Sequence, residues 1–201
     1  MNRIRSICVY CGSGPGTSPA FVAAARAFGR VLAENKINLV YGGGSVGLMG
    51  MLATSVLDHG GFVTGVIPDF LVGREHMMER AQERIVTRDM HERKRTMFER
   101  ADAFVALPGG VGTLEELVEQ LTWAQLGRHK KPILIANIEN FWAPLCALLD
   151  HMKKLEFIRH GLTFNLLVAD RVEDILPQIM EAARAVPETA KEMASVTAER
   201  M

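Results

Sequence analysis

The sequence has few cysteines and no long apolar run. Only Cys8, Cys11 and Cys146 occur among 201 residues, an odd and sparse set typical of a reduced intracellular protein. No apolar stretch approaches the roughly 18 residues that span a bilayer. The N-terminal apolar run is too short and wrongly flanked for a signal peptide. We therefore expect a soluble cytoplasmic protein without a membrane partner.

The chain also lacks an excess of charge of either sign. It carries 23 basic and 23 acidic residues, so its formal net charge is zero. Proteins that bind nucleic acid through counterion release normally carry a basic surplus, so we expect no nucleic-acid partner. Hydrophobic residues make up 48% and charged residues 23% of the chain, a globular composition that excludes disordered and collagen-like proteins.

Short β-branched runs alternate with longer segments of helical periodicity along the chain. In the first helical segment, Phe21, Ala25, Phe28 and Leu32 recur at intervals of three and four. The pattern predicts strands at residues 4–10, 37–41, 62–67, 84–87, 103–107, 133–137 and 165–169. It predicts helices at residues 19–34, 47–59, 90–100, 114–126, 143–155 and 174–185.

Strands that alternate with helices form a parallel sheet covered on both faces. We therefore expect a three-layer, Rossmann-like, doubly wound α/β fold. A single domain fits the length and covers residues 1–186. Residues 187–201 contain few large apolar side chains, so we expect a tail that is disordered or packed on a partner.

Glycine is concentrated in three loops that each join a predicted strand to a predicted helix. They are GSGPG at residues 12–16, GGGSVGLMG at 42–50 and GGVG at 109–112. In a parallel sheet such loops meet at the carboxyl edge, where open α/β proteins bind ligands. Glycine permits close backbone approach, and a helix start offers N–H groups and a positive dipole end. The three loops together predict a phosphate or nucleotide site.

Two common nucleotide motifs fit these loops poorly. No Walker lysine follows the glycines, so ATP hydrolysis is not expected. Gly42, Gly44 and Gly47 fit the dinucleotide fingerprint, whose acidic ribose ligand should follow about 20 residues later. Asp69 comes later than that. A nicotinamide-dependent oxidoreductase therefore remains a minor alternative.

The segment PGGVGTLEE at residues 108–116 resembles the PGGxGTxxE signature of the LOG family. These proteins are cytokinin riboside 5′-monophosphate phosphoribohydrolases that were long labelled lysine decarboxylases. MHERK at 90–94, GGGSVGLMG at 42–50 and TWAQLG at 122–127 extend the resemblance. It runs from the first strand to about Ile158.

The resemblance implies hydrolysis of the N-glycosidic bond of a nucleoside 5′-monophosphate, with N6-prenylated adenine nucleotides as the expected substrates and AMP as a further candidate. It also implies a homodimer with a Rossmann-like fold. By motif position, Arg93 and Glu116 are the catalytic residues. The motifs and the glycine loops together nominate a substrate-binding set: Glu75, Lys94, Gly109, Gly110, Val111, Gly112, Thr113, Thr122, Gly43, Gly44 and Ser13.

The residue types suit this chemistry. N-glycoside hydrolysis builds positive charge on the sugar and negative charge on the departing base, and glycosidases meet it with placed carboxylates. Glu116 is suited to stabilise the cationic sugar or to orient the attacking water. Arg93 is suited to bind the phosphate, to keep Glu116 ionised or to contact another substrate oxygen. The scheme requires neither a metal nor a cofactor.

Both proposed catalytic residues also have structural interpretations. We expect Asp89 and Thr113 to cap their helices, which places Arg93 and Glu116 in first helical turns. Residues 113–116 match a capping box, in which a glutamate merely closes the helix start. Local sequence alone favours that role for Glu116. The dense charge around Arg93 is typical of a solvated helix face, with Arg93 at the margin of the buried stripe.

Other functions remain as alternatives. A non-catalytic nucleotide carrier would use the same glycine loops without needing Glu116 as a carboxylate. A decarboxylase would need a lysine bound to pyridoxal phosphate, and no lysine is singled out for it. Cys8 and Cys11 fall on opposite faces of the first strand, and no second cysteine pair completes a zinc site, so we expect buried structural thiols.

Overall fold

A seven-stranded, all-parallel sheet forms the centre of the protein in a computed structural model that describes residues 4–74, 76–158 and 164–185. The strand order is β4-β3-β2-β1-β5-β6-β7. The strands are β1 (Ser6–Tyr10), β2 (Asn38–Tyr41), β3 (Val63–Pro68), β4 (Glu83–Thr87), β5 (Ala103–Ala106), β6 (Ile133–Ala136) and β7 (Leu166–Ala169). Glu75 and the tail predicted at residues 187–201 lie outside the described residues.

The described residues contain six α-helices, of which five connect strands and the last follows β7. They are α1 (Pro19–Glu34), α2 (Gly47–Asp58), α3 (Met90–Arg100), α4 (Val111–Gln125), α5 (Ala143–Lys154) and α6 (Ile175–Arg184). The expected three-layer α/β fold is confirmed, because helices cover both faces of the parallel sheet. None of these helices has the length and apolar character needed to cross a bilayer.

Two hydrophobic cores lie on opposite faces of the sheet. One core joins α1, α2 and α6, with Phe28, Leu52 and Ile179 among its buried members. The other joins α3, α4 and α5 and includes Met97 and Leu117. The strand side chains divide between the cores by alternation, because successive residues of a strand point to opposite faces.

The two neighbouring cysteines follow this alternation. Cys8 belongs to the core under α3, α4 and α5, whereas Cys11 belongs to the core under α1, α2 and α6. Both are buried and free. The predicted placement of these cysteines on opposite faces is confirmed, and the pair forms neither a disulfide nor a shared ligand set.

The strand order reverses at β1, which pairs with β2 on one side and β5 on the other. The loops after β1 and β5 therefore leave toward opposite faces of the sheet. Their first residues still touch, since the Gly12 N–H donates to the Pro108 carbonyl at 3.1 Å. Such a switch point opens a crevice between diverging loops, where doubly wound proteins bind ligands.

The start of α4 differs from the sequence prediction. Thr113 is not the cap, because the helix begins at Val111 with Gly110 as its N-cap and no side-chain cap hydrogen bond. Thr113 is instead buried, and its side chain occupies the space where a Cβ on Gly109 would stand. The prediction of a capping box at residues 113–116 is therefore wrong, and Glu116 lies in the second turn of α4. Glycine has a low propensity for helix interiors, so the sequence placed the helix start beyond Gly112.

The start of α3 agrees with its prediction. Asp89 is extended and its side chain accepts the Glu92 N–H at 2.8 Å. The Glu92 carboxylate accepts the Arg88 N–H at 2.9 Å, so the acid reaches back one residue further than in a standard capping box. Arg93 follows in the first turn, as the sequence predicted.

A buried histidine fixes the segment after α4. The ring of His129 packs against Phe98 and Phe104, with centroids 5.3 and 5.6 Å apart. Its Nδ1 accepts the Lys131 N–H at 3.2 Å, so the ring proton lies on Nε2 and is donated to the Gln120 carbonyl at 3.2 Å. Burial lowers the pKa of His129 to about 4, against the opposing effect of the Gln120 hydrogen bond.

Acid should therefore destabilise the protein through His129. Between its unfolded pKa of about 6.5 and its folded pKa of about 4, the unfolded chain binds a proton that the folded chain does not, so stability falls as the pH falls. In urea unfolding, His129→Gln should reduce the stability difference between about pH 7 and about pH 4.5 by about 2 kcal/mol. The exposed His151→Gln change is the control. An unchanged pH dependence in His129→Gln would contradict the assignment.

Candidate active site

A cavity of about 240 Å³ opens at the carboxyl edge of the sheet, at the switch point between β1 and β5. Its walls come from the end of β1, the loops that follow β1, β2 and β5, and the N-terminal turns of α2, α3 and α4. The lining residues are 9–13, 42, 49, 90, 93, 110–113, 115 and 116. The proposed catalytic pair, Arg93 and Glu116, therefore lines one shared cavity.

Arg93 enters this cavity from the first turn of α3. Its side chain is buried, with the residue only 6% exposed. Nε donates to the Val66 carbonyl at 3.1 Å, and Nη2 donates to the Gly42 carbonyl at 3.2 Å. The interpretation of Arg93 as a marginal residue on a solvated face is wrong, because carbonyls at the ends of β2 and β3 accept its guanidinium inside the protein.

Gly42 leaves the space that this guanidinium occupies. A Cβ built on Gly42 would collide with Nη2 of Arg93 and would also press on the Sδ of Met49. Position 42 must therefore be glycine, because any side chain there would collide with the buried Arg93 guanidinium. Gly42 also lines the cavity, so the arginine, its carbonyl partner and the cavity wall form one unit.

The start of α4 forms the opposite wall. The N–H groups of Val111, Gly112 and Thr113 have no acceptor within their own helix, because the first helical bond runs from the Leu114 N–H to the Gly110 carbonyl at 3.0 Å. Gly110, Val111 and Gly112 all line the cavity. Three N–H groups and the positive end of a helix dipole are the features by which helix starts attract anions.

Acceptors within the protein cap the starts of the three preceding helices. Ser18 caps α1 by accepting the Ala20 N–H at 3.2 Å. The Gly12 carbonyl accepts the Leu48 and Met49 N–H groups of α2 at 3.1 and 3.3 Å, and an aspartate caps α3. Of the three glycine loops expected to bind phosphate, the β5–α4 loop is the one whose helix start faces the cavity without such a cap.

Two glycines of the β2–α2 loop have a different task. Gly43 has a φ of +81° and its carbonyl accepts the Met78 N–H at 2.9 Å. Gly44 forms an antiparallel bridge with Met77. These glycines hold the segment that follows β3 and are absent from the cavity lining, whereas the predicted Ser13 lies on it.

Lys94 and Thr122 also lie off the cavity lining. The Lys94 ammonium contacts Glu115 at 2.6 Å and Glu119 at 2.9 Å. The Thr122 hydroxyl donates to the Val118 carbonyl at 2.8 Å on the exposed side of α4. Nine residues separate Thr122 from Thr113, about 14 Å along the helix axis. The remaining expected contact, Glu75, lies outside the described residues.

Tyr10 and Cys11 line the cavity, and Cys8 lies two residues before Tyr10 on β1. Burial raises the pKa of Cys8 and of Cys11, and the negative charge of Glu116 raises both further. Burial also raises the pKa of Tyr10 well above its ordinary value. Because thiolates are the nucleophilic and metal-binding form, these cysteines are structural thiols.

Sequence reasoning missed several lining residues. Tyr10 ends β1 and Cys11 follows it, Met90 begins α3, and Glu115 precedes the proposed catalytic glutamate. Their position at the carboxyl edge was the available signal, because strand ends and first helical turns meet there. Strand alternation predicted only that Cys11 is buried, and this residue is both buried and cavity-lining.

Comparison with known proteins extends these observations. A family model described as "Possible lysine decarboxylase" matches residues 49–179. The probable cytokinin riboside 5′-monophosphate phosphoribohydrolase LOG4 of Oryza sativa subsp. japonica is 46% identical over 180 residues, which cover 90% of this chain and 78% of that protein. The cytokinin riboside 5′-monophosphate phosphoribohydrolase LOG7 of Arabidopsis thaliana is 43% identical over 180 residues, which cover 90% of this chain and 83% of that protein.

Solved structures share the fold at lower identity. The molybdenum cofactor binding protein of Rippkaea orientalis aligns with a TM-score of 0.67 at 22% identity, covering 89% of this chain and 97% of that one. The Moco carrier protein of Chlamydomonas reinhardtii aligns with a TM-score of 0.67 at 21% identity, and the alignment covers 92% of this chain and 100% of that one. At these identities the likeness establishes the architecture alone. The sequence matches over nine-tenths of the chain show that it belongs to the LOG family.

Proposed function

We propose that this protein hydrolyses the N-glycosidic bond of cytokinin riboside 5′-monophosphates to free base and ribose 5-phosphate, with AMP as a second substrate. The observation that carries the proposal is one cavity lined by Arg93, Glu116 and the open start of α4. The activity printed for the 43–46% identical relatives supports the same reaction.

The start of α4 binds the 5′-phosphate in this proposal. The N–H groups of Val111, Gly112 and Thr113 hold the phosphate oxygens, and Gly110 and Gly112 present no side chain in the way. A phosphate fixed there positions the sugar, so the reaction at C1′ becomes effectively intramolecular. Gly109 supports the site indirectly by making room for the buried Thr113 side chain.

Glu116 and Arg93 provide opposite charges around the sugar. Water attacks C1′ while the bond from C1′ to the base nitrogen breaks and its electron pair leaves with the base, which then takes a proton. The Glu116 carboxylate stabilises the cationic sugar or orients the water. Arg93 donates to two carbonyls and to the Met90 sulfur and lines the cavity, so its remaining N–H donors and its charge are available to a substrate oxygen or the departing base.

Glu116→Gln should abolish base release while preserving the fold. Glutamine keeps the shape of the side chain but cannot carry the negative charge, so we expect kcat to fall by at least about 100-fold. Free base released from isopentenyladenosine monophosphate and from AMP is the measurement. The matched control is Glu99→Gln, which changes an exposed glutamate on α3.

The same variant separates hydrolase from carrier. A hydrolase in which Glu116 acts on the sugar keeps its nucleotide affinity when this residue becomes glutamine. Wild-type protein that binds the nucleotide without releasing base would support the carrier alternative and contradict the proposal. Normal turnover in Glu116→Gln would reject the catalytic role of this residue but would not contradict the proposed reaction.

Gly42→Ala should impair catalysis through Arg93. The added methyl group would occupy the position of Nη2, so the Arg93 guanidinium must move. A catalytic group displaced by about 1 Å lowers the rate by up to about 100-fold, so we expect kcat/KM to fall by about 10- to 100-fold. Gly14→Ala is the control, because a Cβ there meets nothing within 4 Å. Steady-state rates and circular dichroism compare the two variants. Equal activity in both would show that the arginine's position is unimportant.

We also infer that the protein is a homodimer in which α4 faces the partner. Leu114, Val118 and Thr122 recur every four residues on the exposed side of this helix. Thr122 points away from its own cavity, so a role in nucleotide binding requires the cavity of a second copy. The exposed apolar residues Val111 and Leu126 extend the same helix surface.

Val118→Glu should therefore convert the dimer to a monomer. A buried charge without a partner opposes association. Light scattering coupled to size-exclusion chromatography measures the mass of the wild type and of the variant. Val86→Glu, which changes an exposed valine on the edge strand β4, should keep the wild-type mass. A monomeric wild type at micromolar concentration would refute the interface.

A further inference from the structure

A charged cluster ties α3 to α4 beside the cavity. The Lys94 ammonium lies 2.6 Å from Glu115 Oε1 and 2.9 Å from Glu119 Oε1. The side chains of Lys94 and Glu119 are only 12% and 21% exposed. By contrast, the ion pair between Arg80 and Asp58 has side chains that are 58% and 53% exposed. Exposed pairs contribute little, whereas a partly buried pair is costly to break.

The cluster lies next to the proposed catalytic pair in both helices. Lys94 directly follows Arg93, and Glu115 directly precedes Glu116. Successive residues of a helix point about 100° apart, so Arg93 turns into the cavity while Lys94 turns toward α4. The contact between the two helices is therefore made one residue away from each proposed catalytic side chain.

We propose that Lys94 is a positioning residue that holds α3 against α4 through Glu115 and Glu119 and thereby sets how Arg93 and Glu116 face each other across the cavity. The inference rests on the proposed hydrolase function and deepens it. It assigns Lys94 a different role from the direct nucleotide contact that the motif suggests.

The charges of the cluster favour this role. Two of the three ammonium donors are taken by carboxylates, and two negative charges surround one positive charge. Lys94 is thus a poor partner for a phosphate. Burial alone would lower the pKa of Lys94, but the hydrogen bonds from Glu115 and Glu119 outweigh it and raise this pKa, so the lysine stays cationic.

Loss of the cation would disturb both helices. In the described part of the chain, the second carboxylate oxygen of Glu119 is buried without a hydrogen-bond partner. Removal of Lys94 would leave this carboxylate uncompensated beside Glu115, and like charges repel. Because Glu115 precedes Glu116 on the same helix, the repulsion shifts the residue that acts on the sugar.

The test uses variants on both sides of the cluster. Lys94→Met removes the charge at similar length, and Glu119→Gln weakens the ion pair from a residue that does not line the cavity. For base release from isopentenyladenosine monophosphate, we expect both changes to lower kcat, by about 10-fold or more for Lys94→Met, with KM within about 3-fold of the wild type. The double variant should lose less than the two single losses combined, because the residues act as one unit.

Two further variants exclude a general loss of stability. Lys94→Arg keeps the charge and both carboxylate contacts, so it should recover most of the kcat lost in Lys94→Met. Arg80→Met breaks an exposed ion pair of comparable length and should leave both kinetic constants unchanged. Thermal unfolding checks that each variant is folded. If Lys94→Met does not fold, Glu119→Gln alone carries the test through its kcat and KM.

The possible failures are distinguishable. A raised KM with normal kcat in Lys94→Met, together with an unaffected Glu119→Gln, would show that Lys94 binds the nucleotide directly and would overturn the inference alone. Wild-type kinetics in all variants would overturn it as well. A wild type that releases no base would overturn the proposed hydrolase function and this inference with it.

Discussion

The burial of one guanidinium at the carboxyl edge of the sheet determines much of the site around it. Moving a charge out of water is costly, and the carbonyls of Gly42 and Val66 offset that cost by accepting its N–H groups. A hydrogen bond to a charged group contributes about 2 kcal/mol net. Val66 lies in β3 and Gly42 directly follows the neighbouring strand β2, so the backbone of the central sheet holds the cation in place. The same arrangement requires glycine at position 42.

Because the buried guanidinium occupies the space beside Gly42, the three glycine loops have different roles. The loop after β2 accommodates the arginine and, through Gly43, fixes the segment after β3. The loop after β1 uses the Gly12 carbonyl to close the start of α2. Of the three loops, the one after β5 presents its helix start to the cavity uncapped, so similar glycine-rich sequences serve as an arginine pocket, a helix cap and a proposed anion site.

Much of this arrangement was predictable from the sequence, and the misses have physical causes. Alternating periodicities located every strand and α-helix of the described residues, and the predicted starts of α1 at Pro19 and of α3 after Asp89 agree with the structure. The start of α4 was misplaced because glycine signals a loop, and only the packing of Thr113 on Gly109 shows that the helix begins earlier. The burial of Arg93 was missed because its acceptors are backbone carbonyls, which no residue type reveals.

The architecture itself does not decide between carrying a nucleotide and cleaving it. The fold is shared with molybdenum cofactor carriers, and one fold hosts many chemistries. An open helix start binds a phosphate equally well in a carrier and in an enzyme. Cleavage needs in addition a negative charge beside the sugar carbon. In the proposed function Glu116 supplies that charge from the turn of α4 next to the helix start, so the helix proposed to hold the phosphate would also place the carboxylate at a fixed distance from the sugar.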